Sequence, residues 1–373
     1  MKKTVRLALF TCAAIASLAF AGSAFASFAP KLVVSSATAQ AAGGPTVIGV
    51  LASNADDPTA AVSIYVPSAY QIATPALGKL GDVTATAAAA DLAGAVLPLT
   101  GELDAIAPTA TTNGAAAQCG VTPTQTWDLH LTAAGQVLDI PLFVVAGAAP
   151  EVASGFTNKL VVCLPPPDVP AGTPGRAVFG AKLLSATFTS SAITQPTTAG
   201  DYRWTSLWTP YNPGKGTPNK AGSVEVQALR HIPTQVKLTV TKKKVTVTKK
   251  IKGKKHKIVH TLVKFSSTVS ENSAAAASAT ITTTAGGKKV GGASGSFSLA
   301  SGKSAVVKAT AVVDSDSGSV PTGATANPFA DLYYHDLGAT ACTASAIFGG
   351  LPCADATVGG ERLSATATVK GFK

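Results

Sequence analysis

Short runs of alternating apolar and polar residues fill most of this chain, and this period of two is typical of half-buried β-strands. Gly, Pro and Asn residues, which favour turns, separate the runs in both halves of the sequence. Residues 61–67, 136–145 and 235–241 are examples. Helix signals are weak, and only the Ala-rich residues 84–92 could form one or two helical turns. We therefore predict an all-β fold built of antiparallel sandwiches.

The strand pattern restarts after residue 231, where Ile232-Pro233 follows the last strand of the first half. The segment beyond this point also differs in charge, so we place a domain boundary there. We predict a flexible N-terminal lead, rich in small residues, over 27–44, a β-sandwich domain over 45–231 and a second β-sandwich domain over 232–373.

The N-terminus carries the three parts of a secretory signal peptide. Three positive residues stand among the first six, an uncharged apolar stretch follows over residues 7–20, and residues 24–26 form an Ala-Phe-Ala cleavage pattern. The apolar stretch is too short to span a bilayer comfortably, so we expect no transmembrane anchor in the mature chain. We predict that residues 1–26 are removed and that the protein is secreted, either free or associated with the cell surface.

Four cysteines remain after removal of the predicted signal peptide: Cys119, Cys163, Cys342 and Cys353. An even number of cysteines in an oxidising compartment favours two disulfide bonds, for which three pairings are possible. We prefer Cys119–Cys163 and Cys342–Cys353 because each pair then lies within one predicted domain. A zinc site is the alternative, but the chain has no C-x-x-C pair and no His at ligand spacing from a Cys, so we predict no metal or cofactor.

The positive charge of the chain is concentrated in one segment. The net charge is +11, and removing the three positive residues of the predicted signal peptide leaves the mature chain near +8. Residues 226–270 contain eleven Lys, one Arg and no acidic residue, which gives +12 and leaves the rest of the mature chain near −4. The basic character therefore belongs to a single stretch.

Within this stretch, residues 236–265 form a predicted basic hairpin of two alternating strands, with its turn at residues 252–255. The lysines in or beside the two strands are Lys242, Lys243, Lys244, Lys249, Lys250, Lys252, Lys254, Lys255 and Lys257. Alternation assigns residues to two faces, with Val245, Val247 and Ile251 on one and Lys244, Lys250 and Lys252 on the other.

So dense a positive charge could bind anionic cell-wall or extracellular polymers, such as teichoic polymers, acidic polysaccharide, anionic lipid or DNA. Only Phe265 lies near enough to stack on a base, so we expect no specific recognition of nucleic acid. The alternative is a solvated hairpin whose lysines prevent edge-to-edge pairing with other sheets. Both interpretations stay open on the sequence.

Three aromatic residues, Tyr202, Trp204 and Trp208, fall on one face of an extended chain because even numbers of residues separate them. A row of this kind could form a glycan-binding platform. It could equally be the core of a sandwich, since large aromatic side chains are mostly buried.

Residues that would support catalysis are few. Of the five histidines, only His335 stands in a grouping of interest, because Asp336 follows it directly. The chain contains no G-x-S-x-G sequence, so a serine-hydrolase elbow is not indicated. We assign no catalytic residue and expect a protein that is not an enzyme. A secreted hydrolase of unrecognised type, with His335 and Asp336 as its only leads, is kept as an alternative.

Two resemblances bear on fold and origin. The segments Leu-Pro-Pro-Pro-Asp at 164–168, Phe-Gly-Ala-Lys-Leu-Leu at 179–184 and Tyr-Arg-Trp-Thr-Ser-Leu-Trp-Thr-Pro-Tyr at 202–211 resemble uncharacterised secreted proteins of high-GC Gram-positive soil bacteria. The second half, mainly in residues 297–299, 306–313 and 363–369, is similar to the immunoglobulin-like sandwiches of bacterial surface proteins. The first resemblance brings no function, and the second implies an immunoglobulin-like fold for 232–373 without any catalytic residue.

Taken together, these features favour a non-enzymatic secreted or cell-surface protein with a structural or adhesive role. The basic hairpin is its predicted contact with anionic polymers. A carbohydrate-binding module that uses the aromatic platform is the first alternative, and the hydrolase is the second. The sequence leaves the oligomeric state open.

Overall fold

The computed structural model describes residues 28–36, 44–133, 135–232, 235–270, 279–314 and 334–373. The predicted signal peptide, residues 1–26, lies outside these ranges. Strands dominate the described chain, and this confirms the all-β prediction. Within the same ranges, no helix has the length and apolar character needed to cross a lipid bilayer.

Twelve strands precede residue 233 in the described chain: β1 (Lys31–Ser36), β2 (Pro45–Leu51), β3 (Thr59–Pro67), β4 (Gln71–Ile72), β5 (Gly78–Ala89), β6 (Ala95–Ile106), β7 (Gln125–Ala133), β8 (Gln136–Ala146), β9 (Phe156–Cys163), β10 (Ala181–Thr194), β11 (Gly200–Pro210) and β12 (Val224–Ile232). Nine described strands follow: β13 (Gln235–Ile251), β14 (Lys254–Ser270), β15 (Ala279–Ala285), β16 (Lys288–Gly291), β17 (Ser294–Ala300), β18 (Ser304–Val313), β19 (Tyr334–Asp336), β20 (Cys353–Gly359) and β21 (Glu361–Lys370).

Helices are short in the described chain. The two α-helices are α1 (Ala110–Gln118) and α2 (Ala149–Ala153). Single 3-10 turns occupy Ala90–Leu92, Val178–Gly180, Lys220–Gly222, Ala339–Ala341 and Ala346–Phe348.

Fourteen strands form one large sheet in the order β1-β2-β10-β5-β6-β7-β8-β9-β3-β11-β12-β20-β19, with β4 paired to β10. Neighbouring described strands of this sheet run antiparallel except β12 and β20, which are parallel. The first half is therefore one curled sheet and not the two packed sheets of the predicted sandwich. A continuous ladder of this size buries its apolar face by curling around it.

The two ends of the large sheet meet, because β1 lies against β12 and β20. The hydroxyl of Thr357 in β20 donates a hydrogen bond of 2.6 Å to the carbonyl of Leu32 in β1. A side chain at Gly359 would collide with the backbone of Val34, so only glycine allows β20 and β1 to approach this closely. The sheet thus encloses a single interior.

That interior is one continuous apolar core, to which strands from all around the sheet contribute. Trp127, Trp204 and Trp208 are its largest side chains, and each is fully buried. Leu32 and Val34 of β1 also belong to it. The prediction of a flexible lead over 27–44 is therefore wrong for residues 31–36, because their apolar β-branched run pairs with β2 and faces the core.

The Ala-rich residues 84–92 show tertiary structure overriding local propensity. Most of them belong to β5, which pairs with β10 on one side and β6 on the other. Only Ala90–Leu92 forms a 3-10 turn. Two neighbouring strands satisfy the backbone of the alanines, and this outweighs the small helix preference of each residue.

The second half contains two smaller antiparallel sheets. The order is β13-β14-β17 in one and β16-β15-β18-β21 in the other. Their apolar faces pack together, with Val236 and Val263 from the first sheet against Val307, Ala311 and Leu363 from the second. This packing gives the second half a core of its own.

One segment of the second half returns to the first. Residues 334–359 lie between β18 and β21 in the chain, yet β19 and β20 extend the large sheet at the edge of β12. Lys31 of β1 bridges the carboxylates of Asp336 and Asp355 there. The described strands between residues 235 and 313 thus belong to the two smaller sheets, and the chain crosses back to the large sheet afterwards. The domain boundary near residue 231 stays a prediction.

Candidate functional site

The basic hairpin consists of β13 and β14, which pair over their whole length from Gln235–Ser270 to Ile251–Lys254. Lys252 and Gly253 form the turn, with φ values of 48° and 79°. Two consecutive left-handed residues are the geometry of a type I′ turn, whose twist matches that of the strands it joins. The turn is therefore shorter than the predicted residues 252–255, because Lys254 and Lys255 already belong to β14.

The base of the hairpin is anchored, whereas its far end is not. β17 pairs with β14 only from His260 to Ser266, and Val263 and Phe265 are buried beneath it. Beyond this region the two strands pair only with each other, and residues 246–257 are all exposed. We call residues 246–257 the distal ribbon. Its six-residue strand 246–251 extends for about 20 Å at the usual rise of a β-strand.

All nine lysines predicted for the hairpin are exposed. Cross-strand pairing places Lys243, Lys249 and Lys254 on the face of Val245, Val247 and Ile251, as the register requires. The other face carries Lys242, Lys244, Lys250, Lys255 and Lys257. The predicted apolar face is confirmed, but both faces are basic, and Lys252 lies in the turn rather than on the second face.

Within the described chain, none of these nine lysines forms an ion pair. Lys242 donates a hydrogen bond of 3.2 Å to the carbonyl of Lys370, and its ammonium lies 4.9 Å from the ring centre of Phe372. Lys250 and Lys255 stand directly opposite each other. Like charges at such a pair repel, so an anion beside it would relieve an unfavourable interaction.

Tyr202, Trp204 and Trp208 lie in β11. Their environment is not that of a glycan-binding platform. Trp204 and Trp208 share the inner face of the sheet and are 0% exposed. The ring of Tyr70 packs edge-on against Trp204 at 4.7 Å, and Phe28 packs against Trp208 at 6.4 Å. The prediction of a glycan platform is therefore wrong for both tryptophans, since neither ring has a face that a sugar could reach.

Tyr202, the third member of that row, is half-buried. Its hydroxyl donates a hydrogen bond of 2.7 Å to the carbonyl of Thr198. The even spacing of the three residues correctly predicts that their side chains share one face of the strand. It does not predict whether that face is buried.

Cys119, Cys163, Cys342 and Cys353 form the two predicted disulfides. Cys119 follows α1 and bonds to Cys163 at the end of β9. Cys342 bonds to Cys353 at the start of β20. Each bond closes a local loop, which reduces the conformational entropy of the unfolded chain.

The two residues kept as hydrolase leads lie in β19, at the edge of the large sheet. Asp336 accepts a hydrogen bond of 2.6 Å from the ammonium of Lys31, which it shares with Asp355. This contact holds β1 to the last strands of the sheet. The arrangement assigns Asp336 a structural role.

One group of titratable residues was not predicted. On the outer face of β7 and β8, Asp128, His130 and Asp139 bring three possible metal-ligand atoms within 4.8 Å of one another. His130 Nδ1 lies 2.7 Å from a carboxylate oxygen of Asp139. Burial and the nearby charge of Asp139 raise the pKa of Asp128 to about 6. The sequence contains a signal for part of this cluster. Counting outward from the turn between β7 and β8 places His130 opposite Asp139.

Comparison of the sequence with known protein families, with curated proteins and with solved structures finds no match in any of the three.

Proposed function

We propose that this protein is a non-enzymatic secreted or cell-surface protein that contacts anionic polymers through its basic hairpin. The observation that carries the proposal is the distal ribbon, a projecting pair of strands with lysines on both faces and no acidic residue. Its lysines have no ion-pair partner in the described chain, so their charge acts on the surroundings.

The shape of the ribbon also favours a linear partner. Lysines line both faces for about 20 Å, which suits a chain of repeating negative charges better than a single small anion. The contact needs no pocket and no particular monomer. We therefore propose recognition by charge density, with phosphate, sulfate and carboxylate polymers all being bound.

The rest of the molecule suits a role as a rigid support. β17 pairs with β14 at the base of the hairpin, and the sheet that contains β21 packs against this base. We include in this proposal an immunoglobulin-like fold for the second sandwich. Its first, second and fifth strands form one sheet, and its third, fourth, sixth and seventh form the other. In an immunoglobulin constant-type domain, strands A, B, D and E, which are the first, second, fourth and fifth, form one sheet, and C, F and G form the other. The only difference here is that the fourth strand belongs to the second sheet.

The test compares two variants of the full chain with equal charge change. One replaces Lys249, Lys250, Lys254 and Lys255 with Gln, and the control replaces the exposed Lys215, Lys220, Lys288 and Lys289 with Gln. Binding to immobilised linear polyphosphate, with neutral dextran as the reference polymer, is measured over a range of salt concentrations. We expect the hairpin variant alone to lose most of its affinity, and its salt slope to fall by about 0.7–0.9 for each lysine removed.

Equal losses in both variants, or binding that does not depend on salt, would contradict the proposal. The alternative function of the lysines, which is to prevent edge-to-edge pairing of the hairpin with other sheets, predicts a different outcome. β13 is the edge strand of its sheet, so loss of its lysines would promote self-association while leaving polymer binding weak in every form of the protein. Light scattering of the same two variants distinguishes these cases.

A further inference from the structure

The interior of the large sheet is not completely filled. A cavity of about 60 Å³ lies among side chains that are all apolar and that come mainly from seven strands, β2, β3, β5, β7, β8, β9 and β10. A second, larger cavity of about 320 Å³ adjoins it near one end of the sheet. Ala85, Leu131, Ile140, Leu164 and Leu183 line both. We call these the inner and the outer cavity.

The sequence of β5 explains why space remains. Ala85 and Ala87 point inward where neighbouring strands supply leucines. Ala85 also stands opposite Ala186 of β10, so two small side chains meet at one level of the wall. A larger residue at either place would fill the void, and such voids are destabilising unless something occupies them.

The outer cavity has an apolar entrance. Val137 and Val178 line it and are 56% and 46% exposed. Phe179 follows directly, is 36% exposed, and adopts a left-handed conformation with φ of 54°. Exposed apolar side chains around a concave opening mark a site for an apolar ligand more often than a random part of the surface.

Three charged residues line the outer cavity, and two of them already have partners. Arg176 forms two hydrogen bonds of 2.7 and 2.8 Å with the carboxylate of Asp91. Asp139 also lines the cavity, but its exposed carboxylate contacts His130 on the outer face of the sheet. Arg176 and Asp139 therefore already have side-chain partners within the chain.

Lys182 is the exception. Its half-buried ammonium donates hydrogen bonds to the backbone carbonyls of Asn54 and Asp56. No carboxylate of the described chain comes within the 4.0 Å of an ion pair with it. Burial lowers the pKa of Lys182, while Asp56, Asp57 and Asp168 act on it only from farther away. An ammonium in this position, with an unused donor, is a site for an anionic group.

We propose that the two cavities bind a single-chain amphiphile with an acidic head group, of which a free fatty acid is the simplest. The hydrocarbon chain occupies the apolar inner cavity and the adjoining wall of the outer one, and the carboxylate lies beside Lys182. The outer cavity falls within the range of about 300–1,000 Å³ that is usual for ligand sites. This inference is independent of the hairpin and goes beyond the function proposed above.

The experiment titrates the full chain with a homologous series of straight-chain fatty acids, kept dilute enough to stay monomeric, and follows heat of binding. Each added methylene should raise the affinity about fourfold until the cavities are full, after which the gain stops. Ala85→Leu, which fills the shared wall, should move this limit to shorter chains. The exposed Ala117→Leu serves as its control and should leave the limit unchanged.

A second variant tests the head group without altering the core. Lys182→Gln should lower the affinity for each fatty acid about tenfold and leave the affinity for the fatty alcohol of equal length unchanged. Lys215→Gln should change neither. Absence of binding, an affinity that does not depend on chain length, or equal effects of Lys182→Gln on acid and alcohol would each overturn the proposal.

Discussion

Trp204 and Trp208 lie four residues apart in β11, and this even spacing fits two buried rings and two exposed rings equally well. The enclosing sheet decides between them, because both side chains point into the curl, where Tyr70 and Phe28 cover their edges. The outer face shows the opposite case. His130 and Asp139 are exposed and contact each other because they are cross-strand neighbours in β7 and β8. At the scale of residues, the sequence predicts which side chains share a face of a strand. The neighbouring elements determine whether that face is buried or exposed.

Asp128 belongs to the same outer face and should make stability depend on pH. Its folded-state pKa of about 6 lies above the ordinary value of 3.8, because of burial and the charge of Asp139. The folded protein thus binds this proton more tightly than the unfolded chain does. The resulting stabilisation is complete below about pH 4 and is lost as the pH rises through about 6.

The wild type should therefore lose stability as the pH rises from about 4 to about 6, and Asp128→Asn should abolish this loss. At pH 7 the variant should be more stable than the wild type by about 1 kcal/mol, after allowance for partial solvent screening. Urea denaturation across this pH range measures the effect, with Asp57→Asn as a control outside the acidic face. A pH profile that is the same in wild type and Asp128→Asn would contradict the assignment.

At the scale of elements, strands with strict alternation were the most predictable part of the fold. The hairpin of β13 and β14 was predicted in place, and so was the grouping of Val245, Val247 and Ile251 on one face. β1 and β5 were missed for different reasons. The apolar run of β1 is short and sits in a segment rich in small residues, and the alanines of β5 favour a helix until two neighbouring strands pair with them.

The turn of the hairpin offers a test at this scale. Gly253 has φ of 79°, and a Cβ atom added to it would contact nothing, so Gly253→Ala adds conformational strain alone. That strain is about 1–2 kcal/mol. Because the distal ribbon is paired only with itself, the strain should loosen the ribbon locally and leave the global melting temperature unchanged.

Amide hydrogen exchange measures this loosening directly. We expect faster exchange in residues 246–257 of Gly253→Ala and unchanged exchange in β18. Lys252→Asn should act in the opposite direction, since Asn tolerates the left-handed conformation that a type I′ turn requires. Equal exchange in all three proteins would show that the turn does not limit the stability of the ribbon.

At the scale of the whole molecule, a buried ion pair joins the large sheet to the second sandwich. Arg230 of β12 and Glu361 of β21 are 0% and 1% exposed and lie 2.6 Å apart. Arg230 also donates to the carbonyls of His231 and Gly359. The pair sits where the chain passes from β20 to β21, so it holds the returning segment against the first half.

Removing one partner leaves the other buried without its counter-charge. We expect Arg230→Met to lower the free energy of unfolding by about 3–5 kcal/mol. The double change Arg230→Met with Glu361→Leu should recover much of this loss, because no uncompensated charge is left. Chemical denaturation of the single variant, the double variant and the wild type measures both the loss of unfolding free energy and its recovery. A single variant as stable as the wild type would mean that the pair does not link the two units.

The sequence by itself determined the features that depend on neighbours along the chain. These are the all-β class, the strands of the basic hairpin with their faces, and two disulfides whose partners lie within 44 residues of each other. Only the tertiary structure decided that one sheet curls around a single core, that both tryptophans lie inside it, and that residues 334–359 return to its edge. The physical reason is that periodicity encodes which side chains share a face, whereas the partner of each face depends on contacts between residues far apart in the chain. The cavities beside Lys182 belong to this second kind, because they are spaces between strands and no single strand specifies them.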